Sequence, residues 1–339
     1  MAKPVVFVTR RLPGGALDLL DQHTDLRLWE EEAPPPDREL LRQAARCHGL
    51  LTLLTDRVDD KLLEGADHLV VVSNMATGID NIDVAAASER HVLVTRTPGV
   101  LSETVADFTF ALMLAAARRV AEGDRYVRAG RWKTWGPSTL LGCDVFGATL
   151  GIVGLGGVGM EVARRARGFG MRILYHSRTR KPAPERRYRM TFLPLDDLLR
   201  QSDFVTLHAA LTPQTRQLIG KRELGLMKDT AVLVNTGRGP LVDQMALYQA
   251  LKAGRIAGAA LDVTDPEPIG PDDPLLSLDN VVMAPHIASA SMATRARMAM
   301  LAAENLLAAL AGRIPRDSVN RDIARAWRAA RRRRLASPS

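Results

Sequence analysis

Residues 148–181, ATLGIVGLGGVGMEVARRARGFGMRILYHSRTRK, constrain the fold of this chain more than any other stretch. The apolar run Thr149–Val153 is short enough for a buried strand. Gly154, Gly156 and Gly159 follow in G-x-G-x-x-G spacing, and Val158, Val162, Ala163, Ala166 and Phe169 then recur on one helical face. Gly168 and Gly170 close that helix, and Met171–Tyr175 reads as a second strand, giving a unit of βαβ length. Each glycine has a distinct task in this setting. The first permits a sharp turn, the second lets a pyrophosphate approach the backbone, and the third lets helix and strand pack closely. The helix N-terminus then offers free N–H groups to phosphate. Leu155, Gly157 and Val158 complete the expected phosphate loop.

The end of the second strand discriminates between dinucleotides. An acidic residue there accepts hydrogen bonds from the ribose hydroxyls of NAD. This chain instead reads His176-Ser177-Arg178-Thr179-Arg180-Lys181. Hydroxyls and guanidinium groups suit a 2′-phosphate, so Ser177, Arg178 and Thr179 predict NADP(H) as the preferred cofactor, with NAD(H) also accepted.

Short apolar runs alternate with helical patterns on both sides of this unit. Before it come strands at Val5–Val8, Leu50–Leu53, Leu69–Val72 and Val92–Thr95, with helices at Leu12–Leu20, from Asp37 through Ala45, at Asp59–Glu64 and at Asp83–Glu89. After it come strands at Phe204–Leu207, Ala231–Val234, Gly258–Leu261 and Val281–Ala284. Helices fit at Leu195–Arg200, Lys221–Leu226, Gln244–Ala253 and Ser291–Leu310. The pattern predicts an α/β fold with two parallel-sheet layers, the second carrying six strands. One long apolar helix is expected from Ser102 to about Ala129, followed by a loop with Trp132 and Trp135 that suggests an interface.

At 339 residues the chain has room for two domains. Its 46% hydrophobic and 25% charged composition is that of a globular protein. No apolar run reaches membrane-spanning length. The two cysteines, Cys47 and Cys143, lack metal-ligand spacing and argue against a disulfide framework, so a cytoplasmic location and no metal are expected. Seven arginines against one aspartate after position 320 carry most of the net charge of +8. The body is therefore near neutral and no specific nucleic-acid partner is expected. Residues 319–339 read as a basic tail, frayed or disordered, with no core to join.

Parallel-sheet enzymes bind ligands beyond the carboxyl ends of their strands. Three such ends carry Asn235-Thr236-Gly237-Arg238-Gly239, Asp262 to Glu267, and His286. A guanidinium, a carboxylate and an imidazole can thus converge on one rim. With GLGGVG, YHSRTRK, VNTGRGPLVD, ALDVTDPEP and PHIASAS, the sequence resembles the D-isomer-specific 2-hydroxyacid dehydrogenases, most closely the glyoxylate and hydroxypyruvate reductase branch. The resemblance covers nearly the whole chain to about Arg313.

The resemblance implies two doubly wound Rossmann-like domains. The dinucleotide-binding domain (100–286) would be inserted into a flavodoxin-like substrate-binding domain (1–99 and 287–318). It implies a catalytic trio of Arg238, Glu267 and His286. Backbone N–H groups of Thr77 and Gly78 and the side chain of Leu53 would hold a small 2-oxo acid, with Arg238 and His286. Thr104, Thr236, Gly237, Asp262, Ile287 and Ala288 would border the cofactor, and the enzyme would be a homodimer. Ala288 and Ser291 depart from the Gly and Thr more usual in the family. Corepressors that sense nicotinamide nucleotides, and formate or phosphite dehydrogenases, share the scaffold and form the alternatives.

Overall fold

The computed structural model describes residues 3–336. Two compact units emerge, one from residues up to 101 and from 291 onward, the other from residues 102–290.

The first unit begins with β1 (Val5–Val8), α1 (Ala16–His23), β2 (Asp25–Leu28), α2 (Asp37–Ala44), β3 (Gly49–Thr52), α3 (Asp60–Glu64), β4 (Val71–Asn74), α4 (Val84–Glu89) and β5 (Leu93–Thr95). Its five strands pair in parallel in the order β2-β1-β3-β4-β5. Successive residues of β1 face opposite layers, Val5 and Phe7 toward Leu40 and Leu62, Val6 and Val8 toward the other side.

The second unit holds α5 (Ser102–Ala117), α6 (Val120–Arg128), β6 (Thr149–Val153), α7 (Gly157–Ala166), β7 (Arg172–His176), α8 (Pro182–Tyr188), β8 (Met190–Phe192), α9 (Leu195–Gln201), β9 (Phe204–Leu207), α10 (Lys221–Leu226), β10 (Val232–Asn235), α11 (Gln244–Lys252), β11 (Gly258–Leu261) and β12 (Val281–Met283). The sheet order is β12-β11-β10-β9-β6-β7-β8, all parallel. The chain enters at β6, runs outward to β8, then returns beside β6 as β9. The β6/β9 boundary is therefore the switch point, where α/β sheets open a crevice.

Three expectations are corrected. The sheet has seven strands, because the three-residue edge strand β8 lies behind a polar stretch with no strand pattern. The helix expected over 102–129 is two helices. The Cys143 N–H takes the Ala117 carbonyl (2.9 Å), Gly142 passes so close that a Cβ there would lie 2.1 Å from that oxygen, and Arg119 turns left-handed with φ of 52°. A distant segment thus ends α5, which no local signal marks.

The third correction is the tail. The chain returns to the first unit as α12 (Met292–Leu310), which packs on β3, β4, β5 and α1. It ends in α13 (Ala324–Ala336), a helix rather than a disordered segment. Trp327 is fully buried in the same core as Val71, Leu93 and Leu306, and its Nε1 donates to Val70 O at 3.0 Å. Arg331 Nε donates to Leu310 O (2.8 Å), while Arg334 reaches Leu69 O (2.7 Å), Arg90 O (2.8 Å) and His91 O (3.1 Å). One tryptophan and Ala330 supply the apolar face, and arginines cap carbonyls that strand and helix ends leave open.

Candidate active site

The glycines of the β6–α7 turn divide their work as the spacing predicts. Gly154 has φ of 98°, and a Cβ there would stand 2.4 Å from Ala209 N. A Cβ on Gly159 would stand 2.2 Å from Gly154 O, so only glycine lets α7 close on the turn. A Cβ on Gly156 would meet nothing within 4 Å, which leaves that face of the turn open beside the helix N-terminus. Leu155 is buried in the core and offers only its backbone, while Val158 packs partly against the same cluster. His208 follows β9 at the switch point, with a buried Nε2 that has no partner among the described residues. Desolvation pushes its imidazole down to about 3, so the ring is neutral. An open turn, a free helix terminus and an orphaned polar atom at one crevice fit a dinucleotide.

Beyond β7, Ser177 Oγ donates to Thr179 O (2.7 Å), and the exposed Arg178 has no side-chain partner among the described residues. Arg180 is occupied, forked onto Glu185 at 2.8 and 2.9 Å. Lys181 Nζ bonds Leu155 O. Glu185 was not singled out in the sequence. Arg180 first, then the Tyr175 hydroxyl at 2.6 Å, holds its carboxyl down to about 2. This carboxylate beside β7 is thus already neutralised by Arg180.

The rim beyond β10, β11 and β12 carries the trio. Asn235, buried at the end of β10, donates through Nδ2 to Arg238 O (2.9 Å) and accepts from Gly237 N (3.0 Å), shaping the loop that presents Arg238. Arg238 Nη1 reaches Gly237 O at 2.9 Å. Thr236 Oγ1 lies 2.9 Å from Thr109 Oγ1 on α5, and Thr104 sits in the first turn of that helix. A Cβ on Gly239 would fall 1.8 Å from Thr264 O, so this glycine lets the Arg238 loop abut the Asp262–Glu267 loop.

His286 Nδ1 pairs with Glu267 Oε1, both side chains partly exposed, and the other ring nitrogen, Nε2, remains for a ligand. The backbone of His286 is left-handed, with φ of 54°, and is held there by Asp262. The Asp262 carbonyl accepts from His286 N (2.9 Å), and its carboxylate oxygens accept from Ile287 N and Ala288 N (2.8 Å each). Burial pushes the Asp262 carboxyl up, against the pull of those two amides.

In the first unit, Leu53 follows β3 and Thr77–Gly78 follow β4. Neither the Thr77 nor the Gly78 N–H donates to any described residue, whereas the Ala76, Thr77 and Gly78 carbonyls all have donors. Two adjacent amides without acceptors among the described residues are donors of the kind that bind an anion. A separate cavity of about 400 Å³ opens at the opposite ends of β10, β11 and β12, lined by Val232, Gly258 and Val281, and holds none of the trio.

A parallel sheet with an open glycine turn at its switch point, and a His–Glu pair on neighbouring strand ends, defines a dinucleotide-dependent oxidoreductase. Residues 110–288 match the model of the D-isomer specific 2-hydroxyacid dehydrogenase NAD-binding domain. A glyoxylate reductase of Korarchaeum cryptofilum is 54% identical over 322 residues, 95% of this chain and 97% of that protein. The chain belongs to the D-isomer specific 2-hydroxyacid dehydrogenase family, and is an NAD(P)-dependent enzyme of that family.

A crystal structure of a Thermus thermophilus protein superposes with a TM-score of 0.88 at 48% identity, covering 93% of this chain and 99% of that one. The NADPH-dependent glyoxylate/hydroxypyruvate reductase of Sinorhizobium meliloti, solved with NADP and malonate, superposes with a TM-score of 0.82 at 31% identity, covering 94% and 97%.

Proposed function

We propose that this enzyme reduces glyoxylate and hydroxypyruvate to the corresponding D-2-hydroxy acids, prefers NADPH, and works as a cytoplasmic homodimer. The observation that carries the reaction is the His286–Glu267 pair, with Nδ1 committed and Nε2 left for substrate. A nicotinamide cofactor held at the β6–α7 turn would supply the hydride for the reduction. His286, as imidazolium, gives its Nε2 proton to the carbonyl oxygen and is left neutral, to be reprotonated from solvent. Glu267, bonded to Nδ1, fixes the orientation of the ring. Arg238 stabilises the oxygen as negative charge develops, and the Thr77 and Gly78 amides offer two donors to a carboxylate. Reversal of the same proton transfer serves oxidation of the hydroxy acid.

The fold of the β6–α7 turn and its neighbours supports Gly154 to Gly159, Thr104, Thr236, Gly237, Asp262, Ile287 and Ala288 as the cofactor's border. Asp262 acts there chiefly through the amides it holds. Preference for NADPH rests on Arg178, the one guanidinium of the 178–181 run without a protein partner among the described residues. The dimer reading rests on large apolar side chains left exposed on α6 and the loop after it, among them Trp135 at 79% and Phe146 at 78%.

The test of the cofactor reading is kcat/KM for NADPH and NADH with each 2-oxo acid, in the wild type and in Ser177→Asp/Arg178→Ala. A charge-assisted contact at an exposed site should favour NADPH by about tenfold. The double variant should lose that preference. A wild type that favours NADH, or a double variant with unchanged preference, would reduce the basic loop to solvated surface.

A further inference from the structure

We propose that Arg96 is a positioning residue for the substrate carboxylate, holding and polarising the Thr77–Gly78 peptide from behind. The inference rests on the reading that the Thr77 and Gly78 amides grip that carboxylate.

In a trans peptide the N–H and C=O point to opposite edges, and the bonds in this loop are trans. Whatever fixes the carbonyl therefore aims the amide. The Ala76 carbonyl accepts from Thr97 N at 2.9 Å, which directs the Thr77 N–H the other way. The Thr77 carbonyl accepts from Arg96 Nη1 at 3.3 Å, which directs the Gly78 N–H the same way. The loop is tied on its far side too. Asn74 Nδ2 donates to Gly78 O (3.1 Å) and to Asn81 Oδ1 (3.1 Å), and Asn81 Nδ2 donates to Leu53 O (3.1 Å) and Asp56 O (2.8 Å). Thr77 Oγ1 donates to Thr97 O at 3.0 Å. The two amides are thus the unbonded edge of a loop whose other polar groups are fixed.

Arg96 is more than one tie among these. It is half-buried, and it forms no ion pair with a carboxylate among the described residues. A partly desolvated cation without a counter-ion seeks one. The anion that completes the charge balance is the carboxylate on the amide edge. A guanidinium bonded to the carbonyl also draws electron density through the peptide and strengthens the Gly78 N–H as a donor.

Arg96→Met and Arg96→Lys, with steady-state kinetics and hydrogen exchange over residues 75–82, test this. Arg96→Met should raise KM for glyoxylate about tenfold, leaving kcat within about twofold, because binding is lost alike in ground and transition states. KM for NADPH should not move. Arg96→Lys should recover most of the loss, since a point charge replaces the fork. An unchanged KM for glyoxylate in Arg96→Met overturns the proposal, whatever the exchange shows. Equal damage in Met and Lys variants, with KM rising and kcat falling together, also overturns it and leaves Arg96 a structural tie. The underlying reading is checked apart from Arg96. A wild type that reduces glyoxylamide as efficiently as glyoxylate has no carboxylate grip, and the reading itself fails.

Discussion

Trp327→Ala should destabilise the first unit without disabling catalysis. Trp327 is fully buried and bonds Val70 O through Nε1. Truncating a buried tryptophan to alanine costs about 3–5 kcal/mol, from lost transfer energy and the cavity left behind. The unit that holds it has about 150 residues, for which 1 kcal/mol moves the melting point by roughly 2–4 °C. The expected fall is therefore about 6–20 °C in the transition of that unit. Trp327→Phe keeps most of the apolar volume and loses the hydrogen bond, so about 1–2 kcal/mol is expected. The assay is calorimetry, where the second unit should keep its own transition. Turnover at 25 °C should stay within about twofold, because Val70 precedes β4 whereas the Thr77–Gly78 loop follows its other end. Truncation after Asn320 should reproduce the loss. A truncated chain melting within 2 °C of the wild type would refute the packing argument, because nothing so small survives removal of a buried tryptophan.

Two further outcomes follow from the site and the surface. His286→Ala should lose about 10²–10⁴ in kcat, whereas Glu267→Gln, which keeps the proton donor and alters only the group that orients it, should retain more turnover; near-normal kcat in His286→Ala would remove the mechanism. Sedimentation at micromolar concentration should give a dimer that Trp135→Ser weakens, and a monomeric wild type would end the dimer reading.

Strong periodicity made the central strands and the turn at Gly154 legible, because both are set by local chemistry. The elements that escaped depend on distant partners. The edge strands β2 and β8 are short, and the polar Asp25 and Arg27 hide the alternation of β2. The break after α5 comes from Gly142 and Cys143 meeting Ala117 O. The tail carried the plainest lesson. Its arginines outweigh one tryptophan in any hydropathy window, yet Arg331 and Arg334 serve the core by bonding carbonyls at its edge. At the site, the trio is marked by strand ends and resemblance, whereas nothing local marks Arg96 and Glu185, each of which looks like ordinary surface charge until its partner is known.

A signal for the supporting groups does exist in the sequence. A strand buried on both faces reads as a continuous apolar run, so a polar residue that closes the run stands at the carboxyl end of the sheet while still inside the protein. Thr9, Thr52, Asn74, Asn235 and Asp262 occupy such positions after or at the ends of β1, β3, β4, β10 and β11, and all are buried. A buried polar group must find partners, and the nearest open ones belong to the loop that follows the strand or to its neighbour. Thr9 Oγ1 bonds Asp56, Thr52 Oγ1 bonds Asn74 Oδ1, and Asn74 turns to Gly78. Asn235 shapes the Arg238 turn, and Asp262 holds the amides after His286. In both sheets these strand-end residues therefore brace the loop that follows them or a neighbouring one. The ligand crevice of an α/β sheet is pre-shaped where its apolar runs stop, so the last polar letter of each run predicts a positioning residue before any catalytic one is known.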